Sequence, residues 1–502
     1  MIVQKNLEYI VLQAGGKGSR LGGMTKNKPK ALVPYENLPI IFHLFQRFSG
    51  ANFIIIGDYH VETLKKYLQT FARERYVLLE STESGNIAGI AQALQYVPEK
   101  TPFVLTWCDL IIPADPELPV DAECAIGITD DFACSWRFDQ HGLVKVATHE
   151  KGVMGLFIFK DKQALEDIPC AGSFTTWLAT SRVEKTPFKL PNVVETGSLQ
   201  VFEENARNRK RCRPYNHLEF TPNLAIKTAL TPEGEVLLER ERIWFQNAQE
   251  VGFTNIPKIY GYRPLTMERI QGDNIYCSIS AESSKQQVLS SLVNKVKALH
   301  ACASMPARKM DLHEEYFTKT LKRLQSIAHA IPFASEEWVT INGRRCRNVL
   351  RDDGFLLNKI RQMPVCEVFH PIHGDCTLTN TLISEQGDIY FIDARGYFGK
   401  TQFFGDADYD WAKLYYSIVG NFDKFNEKFF TLSVNGGSVE FKIESNGWEH
   451  LENFFFSLCE ADRQRIKTIH AIIWLSLASH CWEDYDSMCV AYYNGLYILS
   501  SV

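Results

Sequence analysis

Long apolar runs are missing from this sequence, and none is long enough to cross a bilayer. Residues 1–8 also lack the apolar core of a signal peptide. The 13 cysteines are scattered and include no Cys-x-x-Cys pair, which argues against a disulfide framework or a zinc site. Basic charge is not in excess either, since the formal net charge is −5. These absences predict a cytoplasmic protein with reduced thiols that binds neither nucleic acid nor membrane.

The composition that is present is that of a globular protein with more than one domain. Hydrophobic residues make up 45% and charged residues 23% of the 502 positions, and this length exceeds what one hydrophobic core usually supports. A basic stretch at 206–213 interrupts the chain. Because the whole protein is acidic, we interpret it as part of a solvated linker, 206–216, rather than as an RNA-binding segment. We therefore predict one domain over 1–205 and another over 217–502.

A glycine-rich loop follows the first apolar run, Tyr9–Leu12. Gly15, Gly16 and Gly18 would expose backbone N–H groups that can cradle phosphates, and Arg20 could neutralise the phosphate charge. The loop is not the G-x-G-x-x-G of dinucleotide-binding folds, and no Gly-Lys-Ser/Thr closes it as in a Walker loop. The pattern indicates a phosphate-binding loop of another kind.

The residues that follow this loop complete a recognisable signature. Arg20-Leu21, Thr25 and the pair Pro29-Lys30 resemble the motif of nucleotidyltransferases that make nucleotide sugars or CDP-choline. The resemblance implies a Rossmann-like α/β domain with a mostly parallel sheet between helices. It also implies that the loop holds a nucleoside triphosphate, while Arg20 and Lys30 stabilise negative charge as pyrophosphate leaves.

The same resemblance implies a magnesium site and a base-recognition loop. Asp109 follows the apolar run Phe103–Trp107, at the strand end where this family binds Mg²⁺. Glu195 precedes a Thr-Gly pair at the position of the second metal ligand, where the family usually has aspartate. Residues 83–90, which include Gly85, occupy the place of the loop that recognises the nucleotide base.

A second constellation lies within residues 371–413. Asp375 stands in a His-Gly-Asp turn, Asn380 follows five residues later, and Asp393 ends the apolar run Ile389–Ile392. Phosphoryl transfer needs a carboxylate that accepts the proton of the attacking hydroxyl, and oxygen ligands that hold Mg²⁺ against the nucleotide phosphates. The order of these residues predicts Asp375 as the catalytic base, with Asn380 and Asp393 as metal ligands.

This ordered set resembles the aminoglycoside phosphotransferase and choline kinase family, whose members are relatives of protein kinases. The resemblance implies a bilobal α+β domain with an N-lobe over about 217–272 and a C-lobe over about 273–502. It further implies that Lys227, in the run Leu-Ala-Ile-Lys, holds the α- and β-phosphates of ATP. An acid on the next helix should orient this lysine, and we favour Glu241 over Glu239.

The same resemblance implies roles for three more residues. Glu268 and Ile270 lie in the predicted hinge, where the backbone would hydrogen-bond adenine. Asp410, in an Asp-Trp-Ala sequence, matches the acid that braces the catalytic loop. These positions complete the predicted ATP site.

The acceptor site is predicted from Arg395 and from an aromatic stretch. Arg395, close to the metal aspartate, could bind an anionic part of the acceptor. Trp482 and Tyr485 lie in the mainly helical segment Ile469–Leu499 beside two acids. Aromatic faces with carboxylates attract a quaternary ammonium, and choline kinases hold choline in this way. The alternative for this stretch is an aromatic helical core, which is the commoner structure.

The two motif sets together suggest two consecutive reactions. We expect ATP-dependent phosphorylation of a small alcohol similar to choline or ethanolamine, followed by nucleotidyl transfer from CTP or another NTP, with Mg²⁺ at both sites. The product would be an NDP-linked head group for decorating a surface polysaccharide. One alternative is a sugar or polyol kinase fused to a sugar-phosphate nucleotidyltransferase, and another is a scaffold protein with an inactive domain. A homo-oligomer is left open.

Overall fold

The computed structural model describes residues 7–81, 85–113, 118–208, 215–278 and 282–502. The chain divides into two units, and each is described by itself. The first unit consists of Met1–Arg209 with Glu483–Tyr485, and the second of Lys210–Trp482 with Asp486–Val502. Residues 209–214 of the predicted linker lie outside the described residues.

A parallel arrangement of apolar strands forms the centre of the first unit. Tyr9–Gln13 lies between Asn52–Gly57 and Phe103–Trp107 and pairs with both in parallel, and Arg75–Glu80 extends the sheet in the same direction. The three inner strands are apolar almost throughout because both of their faces are buried. In the register, Gln13 is level with Ile56 and Trp107, so all three inner strands end at one edge of the sheet.

The same sheet continues on its other side with antiparallel pairs. Gly152–Phe159 runs antiparallel to Phe103–Trp107. The predicted parallel sheet is therefore confirmed for the inner strands and for Arg75–Glu80. Lys185–Lys189 also pairs in parallel with Cys124–Thr129, on the side where the sheet is otherwise antiparallel. The remaining strands of the sheet are Cys124–Thr129, Arg137–Asp139, Gly142–Val144 and Lys185–Lys189. Two small ladders pair Pro34–Tyr35 with Leu38–Pro39 and Leu110–Ile111 with Val194–Glu195.

Helices connect and cover these strands. The α-helices are Ile40–Arg47, Val61–Phe71, Ile87–Ala93, Phe174–Thr180 and Leu199–Asn208. Short 3-10 helices cover Ser19–Thr25, Lys30–Leu32, Leu94–Tyr96 and Lys162–Leu165. The last α-helix runs three residues into the segment predicted as linker, since Ala206 and Arg207 are good helix formers.

The second unit begins with a four-stranded antiparallel sheet. Its order is Asn216–Phe220, Leu224–Ala229, Leu265–Glu268 and Ile259–Tyr262. The helix Pro232–Glu250 packs on it, and contacts the strand Leu224–Ala229 in particular. Thr231 caps this helix by accepting a hydrogen bond from Gly234 N at 3.0 Å, and proline occupies a first-turn position that has no intrahelical N–H partner.

The rest of the second unit is mainly helical. Its α-helices are Ile275–Ser278, Glu282–Ala301, Lys309–His313, Lys319–Ile327, Asp353–Gln362, Ala407–Ile418, Phe422–Asn426, Glu452–Cys459, Arg463–Ala478 and Tyr485–Leu499. A π-helical turn covers Glu314–Thr318, and 3-10 turns cover Ala328–Ala330, Glu449–Leu451 and Ser479–Cys481. Its small sheets contain Gly272–Asn274, Met305–Pro306, Trp338–Ile341, Arg344–Arg347, Val368–Pro371, Thr381–Ser384, Ile389–Phe391, Phe404–Gly405, Phe430–Asn435 and Ser438–Ile443.

Most rings of the aromatic segment considered for an acceptor cage belong to the hydrophobic core. Trp474, Tyr492 and Tyr493 are each 0% exposed. Trp474 packs its ring 4.8 Å from Tyr416 and 5.0 Å from Phe425, and its Nε1 donates to the His470 ring at 2.8 Å. A ring buried on all sides cannot face a ligand. The core interpretation therefore holds for these three residues.

No helix among the described residues combines the length and the apolar character that a membrane-spanning helix needs.

Replacing Trp474 with alanine should destabilise the second unit by about 3–5 kcal/mol, because it removes a large buried ring and leaves a cavity. We expect the thermal transition, followed by near-UV circular dichroism, to move down by several degrees. Trp338→Ala is the matched control, since Trp338 is 37% exposed and should cost clearly less. Equal losses for the two variants would contradict the core assignment.

Candidate functional site

The glycine-rich loop leaves the sheet after Gln13 and folds back on itself. Gly18 precedes the 3-10 helix Ser19–Thr25 with φ 61°, a left-handed conformation that favours glycine. A Cβ at Gly18 would lie 3.0 Å from Thr25 Cγ2 and 3.3 Å from Lys30 Cβ. Both the turn and the close approach therefore require a residue without a side chain, and together they bring the loop against Lys30.

The other residues of the loop remain open to solvent to different degrees. Gly15 is partly buried and accepts a hydrogen bond from Tyr59 N at 3.4 Å. Gly16 is exposed, and nothing lies within 4 Å of the position where its Cβ would be. The backbone at Gly16 is consequently accessible to a ligand.

Four charged side chains from distant parts of the first unit come together beside this loop. Lys30 Nζ forms an ion pair with Asp109 Oδ2 and lies 4.0 Å from Glu195 Oε1. Arg20 Nη2 lies 3.6 Å from the same glutamate oxygen, while its side chain stays 72% exposed. The structure thus groups the two acids predicted as metal ligands with the two cations predicted to act on the triphosphate.

A short antiparallel ladder explains why these acids meet. Glu195 pairs with Leu110, the residue that directly follows Asp109. Thr196 donates two hydrogen bonds to the Asp109 carbonyl oxygen, from its backbone N at 2.8 Å and from its Oγ1 at 2.9 Å. A Cβ at Gly197 would lie 1.8 Å from Glu195 Oε1. The Thr-Gly pair therefore positions both acids, a role that the sequence motif did not reveal.

The electrostatics at this site fit a divalent cation. Asp109 Oδ1 is buried and has no hydrogen-bond partner within the described part of the chain. Burial and the neighbouring Asp109 raise the pKa of Glu195, while Lys30 and Arg20 act in the opposite direction. Two close carboxylates with an unsatisfied oxygen suit Mg²⁺, which usually binds one or two protein carboxylates and completes its shell with water and substrate phosphates.

A metal site enclosed by protein alone is not found. Among the residues that the structure describes, no group of three or more His, Cys, Asp or Glu side chains could hold a metal ion. A Mg²⁺ ion at Asp109 and Glu195 would therefore depend on phosphate oxygens of a bound nucleotide for further ligands.

The predicted base-recognition loop is held by contacts that sequence reasoning missed. Asn86 O accepts a hydrogen bond from Gln13 Nε2 at 2.6 Å, and Asn86 Oδ1 accepts one from Phe174 N at 2.9 Å. Gly85 forms a bridge with Gly172. Glu83 and Ser84 of this loop lie outside the described residues. These contacts place the loop at the end of the central strand, next to the phosphate-binding loop.

In the second unit, Lys227 lies between two carboxylates. Its Nζ is 2.7 Å from Glu241 Oε2 and also forms an ion pair with Asp393 Oδ1. Glu239 instead contacts Arg242 and Arg263. Burial raises the pKa of Glu241 to about 7, against the lowering effect of Lys227. The lysine and the two acids named from the sequence thus share one ion-pair network.

The predicted base and its neighbours also form a connected group. Asn380 Nδ2 donates to the Asp375 carbonyl oxygen and to Asp375 Oδ2, both at 2.9 Å. Lys413 Nζ lies 2.9 Å from Asp375 Oδ1. Lys413 was not predicted, although it follows Asp410 by three residues and therefore lies on the same helix face.

Asp410 is the acceptor that fixes the His-Gly-Asp turn. Its Oδ2 accepts from His373 N at 2.9 Å, and its Oδ1 accepts from Gly374 N at 2.7 Å. His300 Nε2 lies 3.1 Å from the same Oδ2. Asp410 is completely buried, so these contacts replace the water that a carboxylate would otherwise need.

The remaining predicted residues occupy different surroundings. Glu268 ends a strand and pairs with Leu224, and Ile270 follows it half-buried. Arg395 is paired with a carboxylate, as described below. Trp482 is half-buried in a turn of the second unit. Tyr485 is buried and belongs to the first unit, whereas Asp375 belongs to the second.

Comparison with known proteins gives matches for the first unit. Residues 10–122 match the family described as MobA-like NTP transferase domain. A CTP:phosphoglutamine cytidylyltransferase of Campylobacter jejuni subsp. jejuni serotype O:2 is 28% identical over 109 residues, which are 20% of this chain and 43% of that protein. The bifunctional protein GlmU of Methanocaldococcus jannaschii is 27% identical over 130 residues, which are 25% of this chain and 30% of that protein.

These matches are partial. The chain spans less than half the length of each of these two curated relatives. The crystal structure of HddC from Yersinia pseudotuberculosis, complexed with GMP-PN, is 18% identical with a TM-score of 0.34, and the match covers 41% of this chain and 100% of that one. The family match therefore shows that residues 10–122 of the first unit are similar to a MobA-like NTP transferase domain.

Proposed function

We propose that the first unit transfers a nucleotidyl group from an NTP, with CTP favoured, to a phosphomonoester. The observation that carries this proposal is the grouping of Lys30 and Arg20 with Asp109 and Glu195 beside the glycine-rich loop. The family match over residues 10–122 supports the same reaction class. The preference for CTP draws support from the cytidylyltransferase among the relatives.

The charged side chains beside the glycine-rich loop suit the steps of nucleotidyl transfer. A phosphate oxygen of the acceptor attacks the α-phosphorus, the bond from this phosphorus to the oxygen bridging to the β-phosphate breaks, and pyrophosphate leaves. Negative charge grows on the leaving group, and Arg20 and Lys30 are positioned to stabilise it. Asp109 and Glu195 would hold Mg²⁺, which when bound neutralises and orients the triphosphate.

We further propose that the second unit phosphorylates a small alcohol with ATP. The acceptor oxygen attacks the γ-phosphorus, the bond to the β–γ bridging oxygen breaks, ADP leaves, and Asp375 takes the hydroxyl proton. Lys227, oriented by Glu241, would contact the α- and β-phosphates. Asn380 and Asp393 would hold Mg²⁺, and the backbone of Glu268 and Ile270 would accommodate adenine.

The two reactions would be consecutive, because the first product is the phosphomonoester that nucleotidyl transfer consumes. The final product would be an NDP-linked head group suited to surface polysaccharide decoration. The cage predicted from Trp482 and Tyr485 for a choline-like acceptor stays a prediction, and it cannot include the rings of Trp474, Tyr492 and Tyr493, since these are core residues. A sugar or polyol acceptor remains the principal alternative. A scaffold with an inactive domain is disfavoured, because Lys227, Asp375 and the other predicted groups all remain.

A buried carboxyl supports the predicted catalytic loop and was missed by sequence reasoning. Asp423 accepts a hydrogen bond from Ser417 Oγ, which in turn accepts one from Leu378 N at 3.1 Å. Asp423 also interacts with Thr379 of the loop, and burial raises its pKa to about 7. The loop that carries Asp375 therefore rests on a carboxyl group that is largely protonated below neutral pH.

Asp375→Asn should abolish ATP-dependent phosphorylation and leave nucleotidyl transfer intact, because asparagine cannot accept the hydroxyl proton. The assay incubates the full chain with ATP, CTP, Mg²⁺ and a panel of alcohols, and follows both products by mass spectrometry. Asp388→Asn, an exposed turn residue of the same unit, is the control. A near-normal phosphorylation rate in Asp375→Asn would show that the base is assigned wrongly.

Asp109→Asn should slow nucleotidyl transfer to a supplied phosphomonoester by roughly 10²-fold or more, because the substitution removes a carboxylate that binds metal and pairs with Lys30. Phosphorylation by the second unit should continue. Asp139→Asn, on an outer strand, is the control and should retain activity. Retained nucleotidyl transfer in Asp109→Asn would exclude this residue as a metal ligand.

Asp423→Asn should change how stability depends on pH. The Asp423 carboxyl has a pKa of about 7 in the folded protein and an ordinary pKa of 3.8 in the unfolded chain. Between these two pH values the folded state alone keeps the proton, so the stability of the wild type falls as pH rises from 3.8 to about 7. The variant should therefore gain stability relative to wild type at pH 8, on the order of a few kcal/mol, and not at pH 4. Thermal unfolding at both pH values measures this, and a pH-independent difference would refute the assignment.

A further inference from the structure

The Arg395 side chain lies among residues of both charges in the second unit. Its guanidinium makes a two-pronged contact with Glu315, with Nη1 to Oε1 at 2.7 Å and Nη2 to Oε2 at 2.9 Å. Lys319, one helical turn after Glu315, pairs with the same carboxylate. Glu315 is 1% exposed. A single buried acid thus faces two cations.

Two arginines lie against the ring of Tyr397, the second residue after Arg395. The Arg395 guanidinium carbon lies 4.0 Å from the centre of the Tyr397 ring, and that of Arg240 lies 4.4 Å from it. Arg323 follows Lys319 by four residues in the helix Lys319–Ile327, so the two lie on the same helix face. Burial raises the pKa of Tyr397, whereas Arg395 and, less strongly, Arg323 lower it. We call Arg240, Lys319, Arg323 and Arg395 the Arg395 cluster.

The cluster carries more positive than negative charge. Glu315 is paired with Arg395 and Lys319. Within the described residues, no carboxylate lies at salt-bridge distance from Arg240 or Arg323. A partly buried cation that lacks a counter-charge is costly. Burial and, less strongly, the positive charge of Arg395 lower the pKa of Lys319 well below its ordinary value. An anion placed here would relieve this repulsion.

The cluster also adjoins the predicted catalytic base. Arg395 N donates to His373 O at 3.0 Å. A Cβ at Gly374 would lie 3.0 Å from Arg395 Cβ, so the arginine side chain begins directly beside the turn that carries Asp375. An acceptor whose hydroxyl faces Asp375 can therefore extend other groups toward the cluster.

We propose that the Arg395 cluster binds an anionic group of the acceptor, so that the alcohol phosphorylated by the second unit carries a carboxylate or a phosphate. This inference rests on the proposed kinase function and specifies its substrate class. Arginine forks match carboxylate and phosphate oxygens in geometry as well as charge. Arg240, Lys319 and Arg323 then become specificity residues, none of which the sequence motifs indicate.

The first experiment compares related acceptors on the full chain. Glycerate, glycerol 3-phosphate, glycerol and choline are offered with ATP and Mg²⁺, and phosphorylated products are followed by mass spectrometry. We expect kcat/KM for one of the two anionic compounds to exceed those for glycerol and choline by roughly ten- to a hundredfold. Comparing glycerate with glycerol 3-phosphate distinguishes a site that binds a carboxylate from a site that binds a phosphate. Preference for glycerol or choline overturns the inference.

The second experiment does not depend on turnover. Inorganic phosphate is titrated at constant ionic strength into wild type and Arg323→Gln, with nonhydrolysable ATP and CTP analogues present, and heat is measured. Arg323→Gln should lose one phosphate site, and Arg323→Lys should restore it. The exposed Arg345→Gln is the control. Identical binding by wild type and Arg323→Gln overturns the inference, whereas phosphate binding without phosphorylation of any alcohol counts against the kinase proposal alone.

Discussion

In each unit, a lysine ammonium lies between two carboxylates that come from distant parts of the chain. Lys30 contacts Asp109 and Glu195, and Lys227 contacts Glu241 and Asp393. Without the lysine, two partly buried carboxylates would repel each other and lose their hydration. The arrangement keeps the acids close enough to share a cation. Under the proposed functions, each lysine would exchange a carboxylate for a phosphate oxygen of a nucleotide.

Neutral backbone contacts hold these charged groups at their positions. In the first unit, the Thr196 hydrogen bonds to the Asp109 carbonyl oxygen join the ends of two short strands. In the second, Asp410 accepts from the backbone at His373 and Gly374 and thereby fixes the turn that contains Asp375. Such contacts cost little electrostatically, because the buried carboxylate or carbonyl finds donors in place of water.

The charge distribution beside Asp375 has consequences for the choice of acceptor. A cage for a choline-like alcohol could not use Trp474 of the aromatic segment, because its ring is enclosed by Tyr416 and Phe425. Arg395 and Lys319 instead surround the buried Glu315. In the proposed kinase reaction, the catalytic groups would act on the transferred phosphoryl group while neighbouring side chains would bind the alcohol, so the predicted catalytic residues leave the acceptor class open.

The sequence by itself determined the apolar inner strands, the glycine-rich loop and the order of the acids, because strand burial and turn formation depend on local residue types. It did not determine the antiparallel pairing of Gly152–Phe159 with Phe103–Trp107, which depends on long-range contacts. Nor did it indicate Lys413, Asp423 or the residues Arg240, Lys319 and Arg323 near Arg395. These residues gain their roles from neighbours brought close only by folding, since charge and burial depend on distances that sequence spacing does not encode.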